Sequence, residues 1–231
     1  MPTIPRIVHH TSGRLTWEEQ HLIERTRKML PDFEFRFWTD ADNEALVATL
    51  MPEFIDDYRN IRAGVVKADI CRCLYLFQFG GIYCDTDYKF YRRPDDSFFT
   101  HRCVLGIEEE HNESVAGPKL GNAFMASAPG WDFWLDYVRH VFSNIRGGIT
   151  FTVSVGGPHA LTRFVMGHER YRKEVTLLPA IVLFPKLRFL NLLSERTPET
   201  VGVHLCWGGW RNKPVKEQIR NRLRRWLTAL G

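Results

Sequence analysis

The sequence predicts a single α/β domain with a mostly parallel central sheet and helices on both of its faces. Stretches with strand-like and helix-like patterns alternate along the chain, which favours parallel strands joined by crossover helices. With 231 residues, of which 44% are hydrophobic and 13% aromatic, the chain is long enough to bury one full core. No internal repeat or long low-complexity linker divides it.

The predicted elements follow from local patterns. Strands are expected near residues 5–9, 34–38, 82–85, 103–107, 122–126 and 201–205. Helices are expected near residues 17–29, 41–49, 64–78, 130–143 and 156–167. In the third of these helices, Val66, Ile70, Cys73 and Phe77 recur at helical spacing. The glycine pair at residues 80–81 is a good stop for that helix.

Two aspartates follow the short apolar strand at residues 82–84. Asp85 and Asp87 are two apart, so on an extended chain their side chains point the same way. Two hard oxygen ligands at one point suit Mg²⁺ or Mn²⁺, and a nucleotide diphosphate could supply further oxygens. Asp-x-Asp on its own is also common in solvated turns.

The preceding helix carries a second pair of charges. Asp69 and Arg72 are three residues apart and therefore share one helix face. Helix, glycine pair, strand and Asp-x-Asp form one compact unit, in which four charged groups could meet at a single site. The alternative for Asp69 and Arg72 is a surface ion pair, which is worth little.

Residues 63–88 resemble the DXD sugar-binding region of a glycosyltransferase family. That family includes initiating mannosyltransferases, capsular-polysaccharide sugar transferases and, more distantly, the large glucosylating toxins. Its pattern is carried here by Ala68, Asp69, Arg72, Gly80, Gly81, Tyr83, Asp85 and Asp87. The resemblance implies a GT-A-type, Rossmann-like domain over residues 1–210, a nucleotide-sugar donor, a Mn²⁺ or Mg²⁺ cofactor, and transfer with retention of configuration.

Other segments extend the resemblance. Residues 4–11 are similar to the family's opening strand, which implies a nucleotide close to His9. Residues 35–40 resemble its second strand, where Trp38 offers a flat face for a base and Asp40 an acceptor for a donor group. Trp38 could equally be a core aromatic residue.

Three further segments match family motifs. Residues 121–127 look like the family's Asn-containing strand. Residues 156–159 look like a Gly-Pro turn in which the backbone at Gly157 approaches the donor, although a plain turn would have the same sequence. The segment at residues 204–210 resembles the family's closing His…Ser-Trp motif, with Gly209 in place of the serine. His204 is the candidate third metal ligand and Trp210 a candidate lid residue, although a lone histidine is more often structural.

These motifs assign roles in catalysis to Asp85, Asp87 and Arg72. Asp87 is expected to bind the metal directly, and Asp85 to bind it through water or to hold the donor ribose and sugar. Asp69 is expected to grip sugar hydroxyls, and Arg72 a phosphate. The metal would stabilise the departing diphosphate. The sequence shows no assignable general base: residues 108–111 are candidates, but a solvated charge run is the stronger interpretation.

The cysteine pattern and the lack of a signal or bilayer-spanning run favour a cytosolic enzyme. The five cysteines, none in a zinc-binding pattern, indicate reduced, buried thiols. No apolar signal core or bilayer-spanning run is visible, so we expect a bacterial cytoplasmic protein. The family resemblance implies a role in capsule or polysaccharide synthesis, with a glycan or lipid-linked acceptor. Net charge is +4, but no nucleic-acid-binding motif is present, and we expect no nucleic acid partner.

Residues 211–231 form a predicted basic amphipathic helix, with seven basic residues and one acidic residue. It suits peripheral contact with the inner face of an anionic membrane, or docking on the domain with a solvated basic face. A UDP-sugar is the favoured donor. The alternative functions are binding or hydrolysis of a nucleotide sugar without transfer, and nucleic-acid binding through the basic helix.

Overall fold

The computed structural model describes residues 3–188, 193–208 and 215–230. Its strands are β1 (Ile7–Thr11), β2 (Glu34–Trp38), β3 (Gly81–Cys84), β4 (Tyr88–Phe90), β5 (Cys103–Asn112), β6 (Gly117–Ser127), β7 (Val175–Leu178), β8 (Leu187–Arg188), β9 (Leu193–Ser194) and β10 (Gly202–His204). Its α-helices are α1 (Trp17–Met29), α2 (Asp40–Leu50), α3 (Ile55–Asn60), α4 (Gly64–Phe79), α5 (Phe133–Arg146), α6 (Thr152–Val155), α7 (Pro158–Gly167), α8 (Glu169–Glu174), α9 (Ala180–Leu183) and α10 (Val215–Leu230).

The central sheet has the strand order β2-β1-β3-β6-β5-β7. Strand β6 runs antiparallel to both of its neighbours, and the other five strands run in one direction. The predicted α/β fold with a mostly parallel sheet is therefore confirmed. Edge strand β7 was not predicted. The strand expected near residues 201–205 forms as β10, but it pairs antiparallel with β4 in a separate two-stranded sheet, where His204 lies opposite Tyr88.

Successive side chains along the strands point to opposite faces of the sheet and pack into two separate apolar cores. Tyr83 and Leu105 pack on the face that is covered by α2, α4, α5 and α7. Ile82, Cys84 and Val104 point to the opposite face, where β4 and α9 supply much of the packing. Both faces of the sheet are thus covered. The interior strand β3 ends directly before Asp85.

The glycine pair between α4 and β3 is required by the backbone. Gly80 ends α4 with φ 64°, and Gly81 begins β3 with φ 96°, both in the region that side-chain-bearing residues avoid. A Cβ atom on Gly81 would lie 2.6 Å from the carbonyl oxygen of Ile7 in the neighbouring strand β1. Only glycine allows this close approach, which sets the direction in which the chain runs into Asp85 and Asp87.

We expect Gly81→Ala to lower the free energy of unfolding by about 3 kcal/mol, because strained backbone and a steric clash combine at this position. Urea denaturation measures this difference. Gly117→Ala is the matched control: it lies in β6, has no positive φ, and a Cβ atom there meets nothing within 4 Å. Equal stability of the two variants would contradict the description of the α4–β3 turn.

Helix α10 docks on the domain along one face. The Nζ of Lys89 donates to the carbonyl of Thr228 at 3.0 Å, and the indole Nε1 of Trp207 donates to the Thr228 hydroxyl at 3.1 Å. Arg25 donates to the carbonyl of Ala229 at 3.2 Å, and Ala229 is fully buried. Within the described part of the chain, no helix is both long enough and apolar enough to cross a bilayer.

Candidate active site

The two aspartates of the Asp-x-Asp motif lie at the carboxyl end of β3, where ligands bind in sheets of this type. The amide of Asp85 donates to the carbonyl of Ala123 at 2.9 Å, which extends the pairing of β3 with β6. The amide of Tyr88 then donates to the carbonyl of Asp85 at 3.0 Å and turns the chain into β4. Both carboxylates keep partial access to solvent, with 26% of the Asp85 side chain and 13% of the Asp87 side chain exposed.

Strand β10 brings His204 to these carboxylates across 117 residues or more of sequence. The Nε2 atom of His204 lies 3.2 Å from Oδ1 of Asp87 and 3.8 Å from Oδ2 of Asp85. One ligand atom from each of the three side chains lies within 4.8 Å of the others. The structure thus assembles the three residues that the sequence analysis assigned to a metal.

Electrostatics favour an ion pair between Asp87 and His204. Burial alone would raise the pKa of Asp87, but His204 and the Trp207 amide outweigh it and lower that pKa below its usual value. Burial likewise disfavours a charged His204, yet Asp87 and Cys206 raise its pKa well above the ordinary value. A histidine must lose its proton to bind a metal, so a cation at this site would take the proton's place.

The loop after β10 fixes the position of Asp87. The amide of Leu205 donates to the carbonyl of Asp87 at 3.0 Å, and the amide of Trp207 donates to its Oδ2 at 2.7 Å. One carboxylate oxygen is therefore held by backbone and the other faces His204. The donor set of two carboxylates and one imidazole fits a divalent cation such as Mn²⁺.

A buried charge network lies directly behind the motif. The guanidinium of Arg72 is 3.1 Å from Oδ1 of Asp69 and 3.5 Å from Oδ1 of Asp85, and its side chain is only 4% exposed. It also donates to the carbonyl of Asn122 at 2.6 Å and lies 4.5 Å from the ring centroid of Tyr83. This is the shared site anticipated for Asp69 and Arg72, and not a surface ion pair.

Two neutral groups complete the network. The side-chain amide of Asn122 donates to Oδ1 of Asp69 at 2.9 Å, and the hydroxyl of Tyr83 donates to Oδ1 of Asp85 at 2.6 Å. Burial raises the pKa of Asp69 to about 7; Asp85 adds to the rise, and Arg72 and Asn122 oppose it. A carboxyl group with this pKa is poised to change charge near neutral pH.

These groups line one cleft of about 860 Å³, which falls in the size range of small-molecule sites. Its wall includes residues of strands β1, β3, β5, β6 and β10, of helices α1, α2, α3, α4, α6, α7 and α10, and of the loops after β1, β3 and β10. The predicted site residues found in the wall are Asp40, Asp69, Arg72, Asp85, Asp87, Gly157 and His204. Trp210 and Gly209 lie outside the described residues.

His9 and Trp38 are placed differently from the prediction. The imidazole of His9 is fully buried, with Nε2 donating to the carbonyl of Gly80 at 2.8 Å and Nδ1 accepting from the Trp38 indole at 3.1 Å. The Trp38 ring stacks on Tyr75, with centroids 4.6 Å apart. Neither side chain is among those that line the cleft. Their contacts are those of a packed aromatic cluster that includes Tyr75 and Phe79 of α4.

The burial of His9 makes stability pH-dependent. Burial lowers the pKa of His9 to about 4, against 6.5 when exposed, although its bond to Gly80 opposes the shift. The unfolded chain therefore binds a proton between pH 6.5 and 4 that the folded chain does not, and stability falls as pH drops through this window. We expect the wild type to lose about 3 kcal/mol relative to His9→Gln between pH 7 and pH 4. Urea denaturation at each pH checks this, and two parallel stability curves would contradict it.

Some residues at the site were not assigned by sequence reasoning. Asn122 and Tyr83 fall within the recognised motif segments, so their positions carried a signal that the prediction did not use. Lys119, whose Nζ lies 3.1 Å from Glu108, carries no sequence signal, because it enters the cleft only through the pairing of β5 with β6. The cysteines are all unpaired, but Cys206 is exposed, which corrects the expectation that every thiol is buried.

A family model described as the glycosyltransferase sugar-binding region containing a DXD motif matches residues 16–105. Inositol phosphoceramide mannosyltransferase 3 of Schizosaccharomyces pombe is 29% identical over 145 residues, which is 60% of this chain and 37% of that protein. Mannosyl phosphorylinositol ceramide synthase CSH1 of Saccharomyces cerevisiae is 32% identical over 94 residues, which is 40% of this chain and 25% of that protein. The chain thus covers well under half the length of these relatives.

Two solved structures share the fold. The PaToxG glycosyltransferase superposes with a TM-score of 0.57 at 16% identity, covering 73% of this chain and 71% of that chain. The UDP-bound glycosyltransferase domain of the YGT toxin superposes with a TM-score of 0.52 at 9% identity, covering 77% of this chain and 80% of that chain. These likenesses confirm the GT-A-type fold that the sequence predicts.

Proposed function

Because residues 16–105 carry the DXD sugar-binding region of glycosyltransferases, we propose that this chain is a metal-dependent transferase that moves a sugar from a nucleotide diphosphate to an acceptor. One observation carries the proposal. Asp85, Asp87 and His204 converge in the wall of a cleft that the buried pair Asp69 and Arg72 also lines. A cation site beside a polar, ligand-sized cavity is what a nucleotide-sugar donor requires.

Asp87 and His204 are assigned to the cation, with Asp85 beside them. Mn²⁺ or Mg²⁺ bound there would neutralise the negative charge that develops on a departing diphosphate. The loop amide of Trp207 orients the Asp87 carboxylate, so the ligand is held in place before any cation arrives. A pre-organised carboxylate of this kind costs little reorganisation during the reaction.

We assign Arg72 a positioning role in addition to the electrostatic role of its positive charge. Its guanidinium contacts Asp69, Asp85, two backbone carbonyls and the ring of Tyr83, so it links the motif aspartate to helix α4. Asp69 accepts from Arg72 and Asn122 through Oδ1, and we assign its Oδ2 to a hydroxyl of the donor sugar. The donor phosphate that Arg72 is expected to contact would then interact with both Arg72 and the cation.

We place the nucleoside near the ends of β1 and α2. Thr11, Asp40 and Asn43 line that part of the cleft, and Asn43 is held there by donating to the Thr11 hydroxyl at 3.0 Å. Asp40 keeps the role of acceptor for a donor group. These three residues replace His9 and Trp38 as the candidates for contact with the nucleoside.

A UDP-sugar remains the proposed donor, and the proposed stereochemical course is retention. One structural neighbour is a UDP-bound glycosyltransferase domain, whereas the relative from Schizosaccharomyces pombe is named as a mannosyltransferase. The bacterial source, the capsule pathway and the cytoplasmic location also remain predictions; the relatives named above are fungal proteins.

A donor screen tests the proposed function. The protein is incubated with UDP- and GDP-sugars, with and without Mn²⁺, and release of the nucleotide diphosphate and binding of the donor are both measured. Metal-dependent binding or turnover of one donor supports the proposal, and transfer to an added acceptor separates a transferase from a hydrolase. Absence of binding for every donor and metal would overturn it.

We propose that α10 brings the acceptor side of the protein to an anionic bilayer. One face of α10 docks on the domain, but four of its large apolar side chains stay in solvent. They are between 42% and 58% exposed: Leu223, Trp226, Leu227 and Leu230. An exposed apolar stripe on a basic helix suits a membrane surface. The same helix touches the cleft, because Arg224 donates to the carbonyl of Cys206 at 2.9 Å. The relatives' names refer to a ceramide lipid, which agrees with a lipid-linked acceptor.

Vesicle flotation tests this membrane contact. Vesicles containing phosphatidylserine should carry the protein upward, and Trp226→Ala combined with Leu227→Ala should abolish this. Phe37→Ala, which removes an exposed aromatic ring from strand β2, should float like the wild type. Flotation that is unchanged by the α10 substitutions would overturn the membrane proposal.

A further inference from the structure

His204 also belongs to a second group of potential cation ligands, in which the thiol of Cys206 faces its Nδ1 atom. One ligand atom each from Glu108, His204 and Cys206 lies within 4.8 Å of the others. The thiol Sγ of Cys206 lies 3.4 Å from Nδ1 of His204, on the side of the ring away from Asp87. Sulfur and nitrogen ligands of one tetrahedral zinc ion are about 3.5 Å apart, so this spacing suits a shared cation.

Two features hold the thiol in this position. Cys206 has φ 51°, a conformation that non-glycine residues rarely adopt, and it folds the loop back toward His204. The carbonyl of Cys206 accepts from Arg224 of α10 at 2.9 Å, which anchors the loop from outside. Cys206 is also exposed, whereas Cys71, Cys73, Cys84 and Cys103 are buried.

Asp87 supplies the arrangement expected around a zinc-binding histidine. A histidine that binds zinc through one nitrogen commonly donates the N–H of its other nitrogen to a carboxylate, which fixes the ring. Here Nε2 of His204 lies 3.2 Å from Oδ1 of Asp87, so Nδ1 can bind a cation while Nε2 keeps its proton.

We propose that Glu108, His204 and Cys206 form a second cation site, which prefers a soft divalent ion such as Zn²⁺, with water as a fourth ligand. The Cys206 thiol gives up its proton to solvent as the sulfur binds the ion. Thiolate and imidazole ligands favour Zn²⁺ over Mg²⁺ or Mn²⁺, which prefer oxygen ligands. Because both sites use His204, Zn²⁺ here opposes binding of the cation at Asp85 and Asp87; this consequence rests on the proposed function.

Cobalt substitution tests the soft-cation site without any activity assay. Co²⁺ added to the full chain should give the intense near-ultraviolet absorption of a thiolate-to-cobalt bond, and Zn²⁺ should displace it. Cys206→Ser should abolish this absorption, and Glu108→Gln should weaken Zn²⁺ binding about tenfold or more. Glu109→Gln is the matched control, since Glu109 also pairs with Lys119 but is absent from the ligand set.

The outcomes separate this inference from the donor site. Asp85→Asn should leave the cobalt–thiolate absorption intact even where nucleotide-dependent Mn²⁺ binding is lost. Circular dichroism confirms that each variant is folded, and Glu108→Gln provides an independent test if Cys206→Ser is not. Absence of the thiolate absorption in the wild type, or its persistence in Cys206→Ser, would overturn the proposal.

Discussion

Replacing Asp87 with asparagine is expected to lower kcat/KM for sugar transfer about a thousandfold, because a neutral amide cannot supply the charge that holds the cation. Asparagine keeps the shape of the side chain, and its carbonyl can still accept from the Trp207 amide. The ion pair with His204 is lost. Steady-state kinetics with a saturating Mn²⁺ concentration measure the effect, using the donor that the screen identifies.

The matched control for this variant is Asp95→Asn. Asp95 also pairs with a cationic side chain, Arg92 at 2.9 Å, but it is 69% exposed and does not line the cleft. We expect its kcat/KM to stay within about twofold of the wild type, because exposed ion pairs contribute little. Asp87→Asn with full activity would show that the cation is held elsewhere.

Arg72→Met is expected to lower the free energy of unfolding by about 3–5 kcal/mol, since it leaves Asp69 and Asp85 near each other without a compensating charge. Methionine fills much of the same volume, so the loss reports charge and hydrogen bonding more than packing. Burial of the guanidinium, 4% exposed, prevents water from replacing it. Urea denaturation near pH 8, where Asp69 is mostly ionised, measures the largest effect.

Arg139→Met is the control for this substitution. Arg139 pairs with Asp136 at 2.9 Å and at the same spacing of three residues on a helix, but its side chain is 50% exposed. We expect it to cost less than about 1 kcal/mol. If the two arginine variants lose equal stability, the buried network behind the motif does not contribute as described.

Much of the site was predictable because its signals are local. The helical spacing of Val66, Ile70 and Cys73 sets α4, and the glycine pair ends it within a residue or two of the expected position. Strand β3, which begins at the second glycine of this pair, has only 4 residues, so Asp85 and Asp87 both lie just beyond its end. Local patterns of this kind need no knowledge of the rest of the chain.

The remaining features depend on contacts between distant segments. Strand β10 reaches the motif by pairing with β4, and no pattern in residues 202–204 indicates that β4 is its partner. His9 was expected near the nucleotide, but the carbonyl of Gly80 and the indole of Trp38 engage its two ring nitrogens. The exposure of Cys206 likewise follows from the loop between β10 and α10, whose course the sequence does not show.

The most direct test of the central claim is Mn²⁺ binding, measured by electron paramagnetic resonance in the presence and absence of UDP or GDP. If Asp85, Asp87 and His204 hold the cation of a nucleotide-sugar site, one nucleotide should strengthen Mn²⁺ binding about tenfold or more, and Asp87→Asn should abolish that gain. Nucleotide binding that is equally tight without metal, and unchanged in Asp87→Asn, would contradict it.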